Sequence, residues 1–197
     1  MPLSFEMDPS ITRELHDGLG SLWADVTNAD GAVGFLPPVT PEDIRPDLLT
    51  HLAAVDSGRA RMLIGRDEQG SVAASAFLAF NAHRLKRHWC SVYTVMVHPA
   101  SQGMGHGRDL MSAVEKEARG MDGIAALRLS CRGGLGLERF YVSCGYREVG
   151  RLPDAIMVSE DDFRDDVTFW LPLTPVRSSG SSPGLSRGRA GHGEGPG

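Results

Sequence analysis

Cysteine is scarce in this chain. Three residues, Cys90, Cys131 and Cys144, stand among 197, and no two have the C-x-x-C spacing. An odd, unclustered set excludes a disulfide framework and offers no zinc site, so no metal is expected. Free thiols fit a reducing compartment, and the cytoplasm is the expected location. Positive charge is not in surplus either: 20 Lys and Arg oppose 25 Asp and Glu, a net of −5. That balance argues against nucleic acid as a partner. No apolar run approaches the length of a bilayer span, so no membrane insertion is expected. The opening residues Met1-Pro2-Leu3-Ser4-Phe5-Glu6 have neither the basic start nor the apolar stretch of a secretion signal.

What is present is an ordinary globular composition, 41% hydrophobic and 23% charged, long enough for one domain with a sizeable core. Residues 174–197 are Gly, Ser, Pro and Arg with almost nothing to bury, and are expected to form a disordered tail behind a domain of residues 1–173. Three arginines against one glutamate make the tail basic and leave about −7 on the domain, a field that modestly favours a cationic acceptor.

Along the domain the pattern is mixed. A weak first strand is expected over 3–8. Ile11, Leu15, Leu19, Leu22, Trp23 and Val26 recur at helical spacing over about 10–27. Thr40-Pro41-Glu42-Asp43 reads as a helix cap, with Pro46 expected to divide the helix that runs to about 57. Strands over 61–66 and 71–80 flank the hairpin turn Asp67-Glu68-Gln69-Gly70. A longer strand over 88–97 precedes a helix over 106–119, with Leu110, Met111, Val114 and Ala118 on one face and a Glu115–Arg119 pair on its flank. A strand over 124–131, a short helix over 135–144 stopped by Gly145, and strands over 146–150 and 167–172 complete an α+β order.

The most informative stretch runs from Val95 to Arg108. An apolar strand breaks at Pro99, and Gly103, Gly105 and Gly107 then open an amphipathic helix. Amides at a helix start lack intrahelical partners and face the positive end of the dipole, so a glycine-rich turn there suits an anion. A P-loop would end in Gly-Lys-Ser/Thr, whereas this one ends Gly107-Arg108-Asp109. A dinucleotide fingerprint would run G-x-G-x-x-G near the start of a βαβ unit, and this loop lies past mid-chain. Gln102-x-x-Gly105-x-Gly107 instead resembles the Q/R-x-x-G-x-G/A signature of the GNAT N-acetyltransferases. Phe140-Tyr141-Val142-Ser143-Cys144-Gly145-Tyr146 resembles that family's F-Y-x-x-x-G-[FY] landmark, at the usual distance from the loop. The likeness covers about residues 3–173. Ala32-Val33-Gly34-Phe35 is similar, more weakly, to tabtoxin-resistance acetyltransferases, whose acceptor is a small amino-acid-like toxin.

The resemblance implies a mixed, mostly antiparallel sheet of about seven strands, splayed in the middle and flanked by about four helices. It implies acetyl-CoA as co-substrate, its pyrophosphate on Gln102, Gly103, Met104, Gly105, His106, Gly107 and Arg108, and its pantetheine arm along the backbone of Met96 and Val97. Tyr141 matches the family tyrosine beside the thioester sulfur, usually assigned as general acid. Acetyl transfer is then expected to a primary amine of a small molecule by direct attack. An acyl-CoA-binding regulatory protein without catalysis, and an enzyme acting on protein N-termini or lysines, are the alternatives. Homodimers through the final strands are frequent in the family.

The general base is where the chain departs from the family. Many members carry a glutamate eleven residues before the motif Gln/Arg, which here is Ser91, and the next strand reads Leu129-Ser130-Cys131 where an acid is often found. Ser91 is the candidate by position, acting through an ordered water or on the acceptor. His88, Tyr93, Asp25 and Asp30 stay open beside it. Gly134 stands where the family often has an asparagine that reaches the pantetheine. Trp89 and the 31–39 loop are candidates for lining the acceptor site.

Overall fold

The structure is a computed structural model that describes residues 2–173. The expected tail, 174–197, lies outside the described residues. The elements in chain order are β1 (Ser4–Met7), α1 (Arg13–Asn28), α2 (Pro41–Asp56), β2 (Ala60–Arg66), β3 (Val72–Phe80), β4 (Trp89–Val97), α3 (His106–Arg119), β5 (Ala126–Arg132), α4 (Leu137–Ser143), β6 (Arg147–Ser159) and β7 (Asp162–Pro172). The strands form one sheet in the order β1-β2-β3-β4-β5-β7-β6. Every neighbouring pair is antiparallel except β4 and β5. The mixed seven-stranded sheet and four helices are those the sequence leads one to expect.

Local chemistry explains the helices. Thr12 accepts from the Leu15 amide at the start of α1. Thr40 and Asp43 close a reciprocal capping box at the start of α2, which satisfies two orphan amides at once. α2 is not divided at Pro46, contrary to expectation. The carbonyl that loses its partner there belongs to Glu42, and both residues are exposed, so that carbonyl is open to solvent and not left buried without a partner.

The two helix pairs cover opposite faces of the sheet. Leu15, Leu19, Ile44 and Leu48 of α1 and α2 pack on Met62, Ile64 and Phe77. Leu110, Met111 and Val114 of α3, with Tyr141 of α4, pack on Leu78, Val92, Leu127 and Phe169.

The final hairpin is longer than the sequence suggests, because β6 is an edge strand with almost no buried side chain and so no apolar alternation to read. Arg151 ties it to β7 by bonding Asp165 at 2.8 Å, and is itself held by Glu148 of its own strand at 2.9 Å. Pro153 is tolerated because an edge strand can leave an amide position unpaired.

Two irregularities in β4 position the site. First, β4 pairs with β5 only at Trp89–Ala126, Cys90–Leu127 and Ser91–Arg128. Beyond Ser91 the two parallel strands part, leaving one side of β4 without a ladder partner. Second, the β3–β4 register shifts between Phe77–Tyr93 and Ser75–Met96, and Thr94 there has φ 48°. The extra residue reverses the pleat. Cys90 and Val92 face the α3 side before the bulge, and Met96 faces the α1–α2 side after it.

Candidate active site

The parting of β4 from β5 opens a cleft of about 1010 Å³. It runs from the start of α3, between the strands, to a pocket under α1 and α2.

At the first end the loop is shaped by its glycines. Gly103 and Gly105 have φ 76° and 93°, and a β-carbon at either would project into open space. Gly105 caps α3 without a side-chain bond, while the Arg108 and Asp109 amides both turn back to its carbonyl. The helix-start amides of His106 and Gly107 therefore have no intrahelical acceptor. Gly107 is favoured by packing: a β-carbon there would lie 3.2 Å from the Phe140 ring, a tight approach. Gln102 donates from its side chain to the Val97 carbonyl at 3.0 Å, which ties the loop to the end of β4. Val97, Gln102, Gly103, Gly105, Gly107 and Arg108 line the cleft. The side chain of Met96 is buried beneath α1 and α2, that of His106 is buried near Asp109 at 3.4 Å, and Met104 is exposed outside the cleft. The opening thus presents free amides and one guanidinium, a combination suited to phosphate.

At the waist stand Phe140 and Tyr141 of α4. Tyr141 is 7% exposed, its ring set among those of Phe140, Tyr146 and Phe169 at 5.1, 6.1 and 5.8 Å. Burial pushes its phenol above the ordinary value, so at neutral pH it carries its proton. It lines the cleft. Cys131 also faces the cleft, but burial, reinforced by Glu138 and Asp166, pushes its thiol up to about 12. A thiol held protonated is no nucleophile at neutral pH.

The far pocket carries both aromatic and charged side chains. Trp23, Phe35, His51 and Tyr93 line the cavity, and so do Asp30, Asp47 and Arg128. Ser91 and Ser130 line the cleft from β4 and β5. The 31–39 loop contributes through Gly31–Phe35, and Trp23 pins it by donating to the Val33 carbonyl at 2.8 Å.

Other candidates fall elsewhere. His88 is exposed ahead of β4 and does not line the cleft. Asp25 pairs with His98 at 3.4 Å, also off the cleft. Trp89 packs edge-on to Trp170 at 5.7 Å instead of lining the acceptor pocket, since it lies where β4 and β5 are still paired. Gly134, with φ 83°, donates its amide to Glu138 and closes the turn before α4. Sequence reasoning missed His51. Its signal was present: a histidine three residues past Leu48 and one before Leu52 lies on the core-facing stripe of α2.

Comparison with known proteins agrees with this geometry. The family model described as acetyltransferase (GNAT) family matches residues 21–146, from α1 to the aromatic that ends the second motif. Among solved structures, the chain is similar to a GNAT superfamily phosphinothricin acetyltransferase from Sinorhizobium meliloti in complex with AcCoA, at 14% identity and TM-score 0.69, covering 94% of this chain and 95% of that one. It is similar to a ribosomal-protein-alanine N-acetyltransferase from Brucella melitensis at 20% identity and TM-score 0.69, covering 86% and 99%. An N-acetyltransferase from Staphylococcus aureus Mu50 matches at 14% identity and TM-score 0.70, covering 87% and 99%.

Proposed function

The chain belongs to the GNAT acetyltransferase family, and from that premise we propose that it moves acetyl from acetyl-CoA to the primary amine of a small amino-acid-like or antibiotic-like molecule. The observation that carries this reading is the single cleft joining a phosphate-suited helix start to an aromatic, charge-lined pocket. A co-substrate with a long arm and anionic head needs such a passage, and direct transfer needs both reactants in it together.

We assign the cofactor's pyrophosphate to the amides over 103–108, with Arg108 as counter-ion and Gln102 holding the loop in shape. Met96 and Val97 enter through their backbone, on the strand edge that β5 leaves unpaired. Met104 and His106 would act through main chain alone. Tyr141 is assigned as the acid that protonates the leaving thiolate, a role its protonated phenol supports. Direct attack is favoured over an acetyl-cysteine intermediate because the Cys131 thiol is held protonated.

An acceptor carrying both charges fits the far pocket: Arg128 suits a carboxylate or phosphinate, and Asp30 and Asp47 suit an ammonium. Phosphinothricin, named for the Sinorhizobium relative, is one such amino-acid-like compound. The three free cysteines support a cytoplasmic setting. Exposed Val149, Leu152, Met157 and Phe163 on the edge hairpin support pairing of two copies there. Ser91 and Ser130, where the family often has acids, favour a second reading as an acyl-CoA-binding protein without turnover.

Calorimetry with acetyl-CoA, followed by a thiol-release screen over amino acids, phosphinothricin, aminoglycosides and a peptide amine, tests both. Binding with turnover supports the enzyme. Binding without turnover leaves the regulatory reading. No binding by folded protein removes both.

A further inference from the structure

The pocket contains one neutral nitrogen base with a defined orientation. His51 of α2 bonds through Nδ1 to the Asp47 main-chain carbonyl at 2.7 Å and through Nε2 to the Thr94 hydroxyl at 3.1 Å. A carbonyl can only accept, so Nδ1 carries a proton, and in the neutral ring Nε2 presents its lone pair. Thr94 must then donate to Nε2, which leaves its own oxygen lone pairs free. The ring is fixed by contacts of 5.1 Å to Trp23, 5.1 Å to Phe77 and 4.9 Å to Tyr93.

Thr94 is the bulge residue of β4, a β-branched side chain held at φ 48°, in a region such residues rarely occupy. Without the bulge the pleat would continue unbroken, and the hydroxyl would not stand where α2 and the parting strands meet. Both Thr94 and His51 line the cleft.

We propose that the Thr94 hydroxyl and His51 together take the proton from the acceptor amine. This rests on the acetyltransferase reading above and supplies the base that Ser91 and Ser130 do not. The amine nitrogen bonds to the thioester carbonyl carbon, and the C–S bond breaks with its electron pair on sulfur. The proton shed by nitrogen passes to Thr94 Oγ as the Thr94 proton passes to His51 Nε2. The thiolate takes a proton from Tyr141, and the imidazolium proton returns to the phenolate through solvent. The sum is amine plus acetyl thioester giving amide plus thiol.

Burial holds the His51 ring below its ordinary value, and the Asp47 carbonyl and carboxylate oppose this only in part. Around it, α2 brings Asp47 and β4 brings Tyr93, whose phenol burial keeps protonated. Trp23 and Phe77, from α1 and β3, bring no charge, while Asp30 and Arg128 share the cavity wall. The ring is therefore neutral at pH 7 and able to accept.

The test uses the full chain and the best amine from the screen above. The kcat/KM profile of the parent is expected to show an acid limb with a midpoint below about 6.5. His51→Gln should lower kcat/KM by roughly 10²–10⁴-fold and abolish that limb, with acetyl-CoA affinity unchanged. Thr94→Val should lose a comparable factor and Thr94→Ser should restore most of it. A His51→Gln rate within threefold of the parent, or an acid limb that survives it, overturns the assignment while leaving the acetyltransferase reading intact. If no amine turns over although acetyl-CoA binds, that reading falls and this one with it. Should His51→Gln fail to fold, the Thr94 pair decides, together with nitrogen NMR of the parent: an Nε2–H tautomer, or a midpoint above about 6.5, overturns the proposal.

Discussion

The Tyr141 ring is held by three aromatic neighbours, none of which needs its hydroxyl. Packing and chemistry can therefore be separated at one atom. Tyr141→Phe keeps the ring contacts, so its melting temperature should stay within a degree or two of the parent. Turnover should drop roughly 10²–10⁴-fold, the usual worth of a general acid. A rate within threefold of the parent would remove Tyr141 from the chemistry. The loop glycines separate less cleanly. Gly105 needs φ 93°, a region that costs a branched side chain about 1–3 kcal/mol. Gly105→Val should therefore lower melting by several degrees. Acetyl-CoA affinity should weaken by more than about a hundredfold, the worth of two lost phosphate hydrogen bonds of roughly 1.5 kcal/mol each. Calorimetry giving an unchanged affinity would show that the loop does not hold the cofactor.

Among the elements, α2 carries most of the consequence. It begins at the Thr40–Asp43 capping box, continues through Pro46 and presents His51 to the bulge of β4. Asn28 clamps the chain just ahead of the cap, exchanging two bonds with the Val39 backbone at 2.8 and 2.9 Å. Because the entry is held twice, removing one holder should cost stability without moving the far turns. Thr40→Ala is expected to lose about 0.5–2 kcal/mol, measured by urea unfolding, with the turnover rate little changed. A rate loss larger than tenfold at unchanged stability would mean that the helix start takes part in acceptor binding. The cap was readable from Thr40-Pro41-Glu42-Asp43 because capping is a contact over three residues. The continuity through Pro46 was not, because it depends on Glu42 facing water.

At the scale of the molecule, the two cores lie on opposite faces of one sheet, and the cleft interrupts the sheet between β4 and β5. A ligand lying there and touching both strands binds only the folded arrangement. Linkage then requires stabilisation: at a hundred times its Kd, acetyl-CoA should add about 2.7 kcal/mol. Melting should rise by roughly 5–10 °C for a domain of this size. The Gly105→Val protein should show little of this rise at the same concentration. An absent shift in the parent at saturating acetyl-CoA would contradict the cleft as the binding site. No helix among the described residues is long and apolar enough to cross a membrane, which agrees with the lack of long apolar runs in the sequence.

The sequence by itself determined what short-range physics controls. Helix caps, the Asp67–Gly70 turn and the Glu115–Arg119 pair all involve residues within four of one another. So does the glycine run that opens α3, whose meaning lies in bare amides at a helix start. Tertiary structure alone decided the rest. The bulge at Thr94 exists because β3 and β4 shift register, which no local spacing records. His51 meets Thr94 across 43 residues only because α2 packs on that face of the sheet. Trp89 turned to Trp170 and away from the expected acceptor site because β4 and β5 part only after Ser91. The extended β6 was hidden because an edge strand buries too little to leave an apolar period. A proton acceptor assembled from a helix, a bulge and the end of a ladder has no signature along the chain, since its parts become neighbours only when the sheet's pairing is complete.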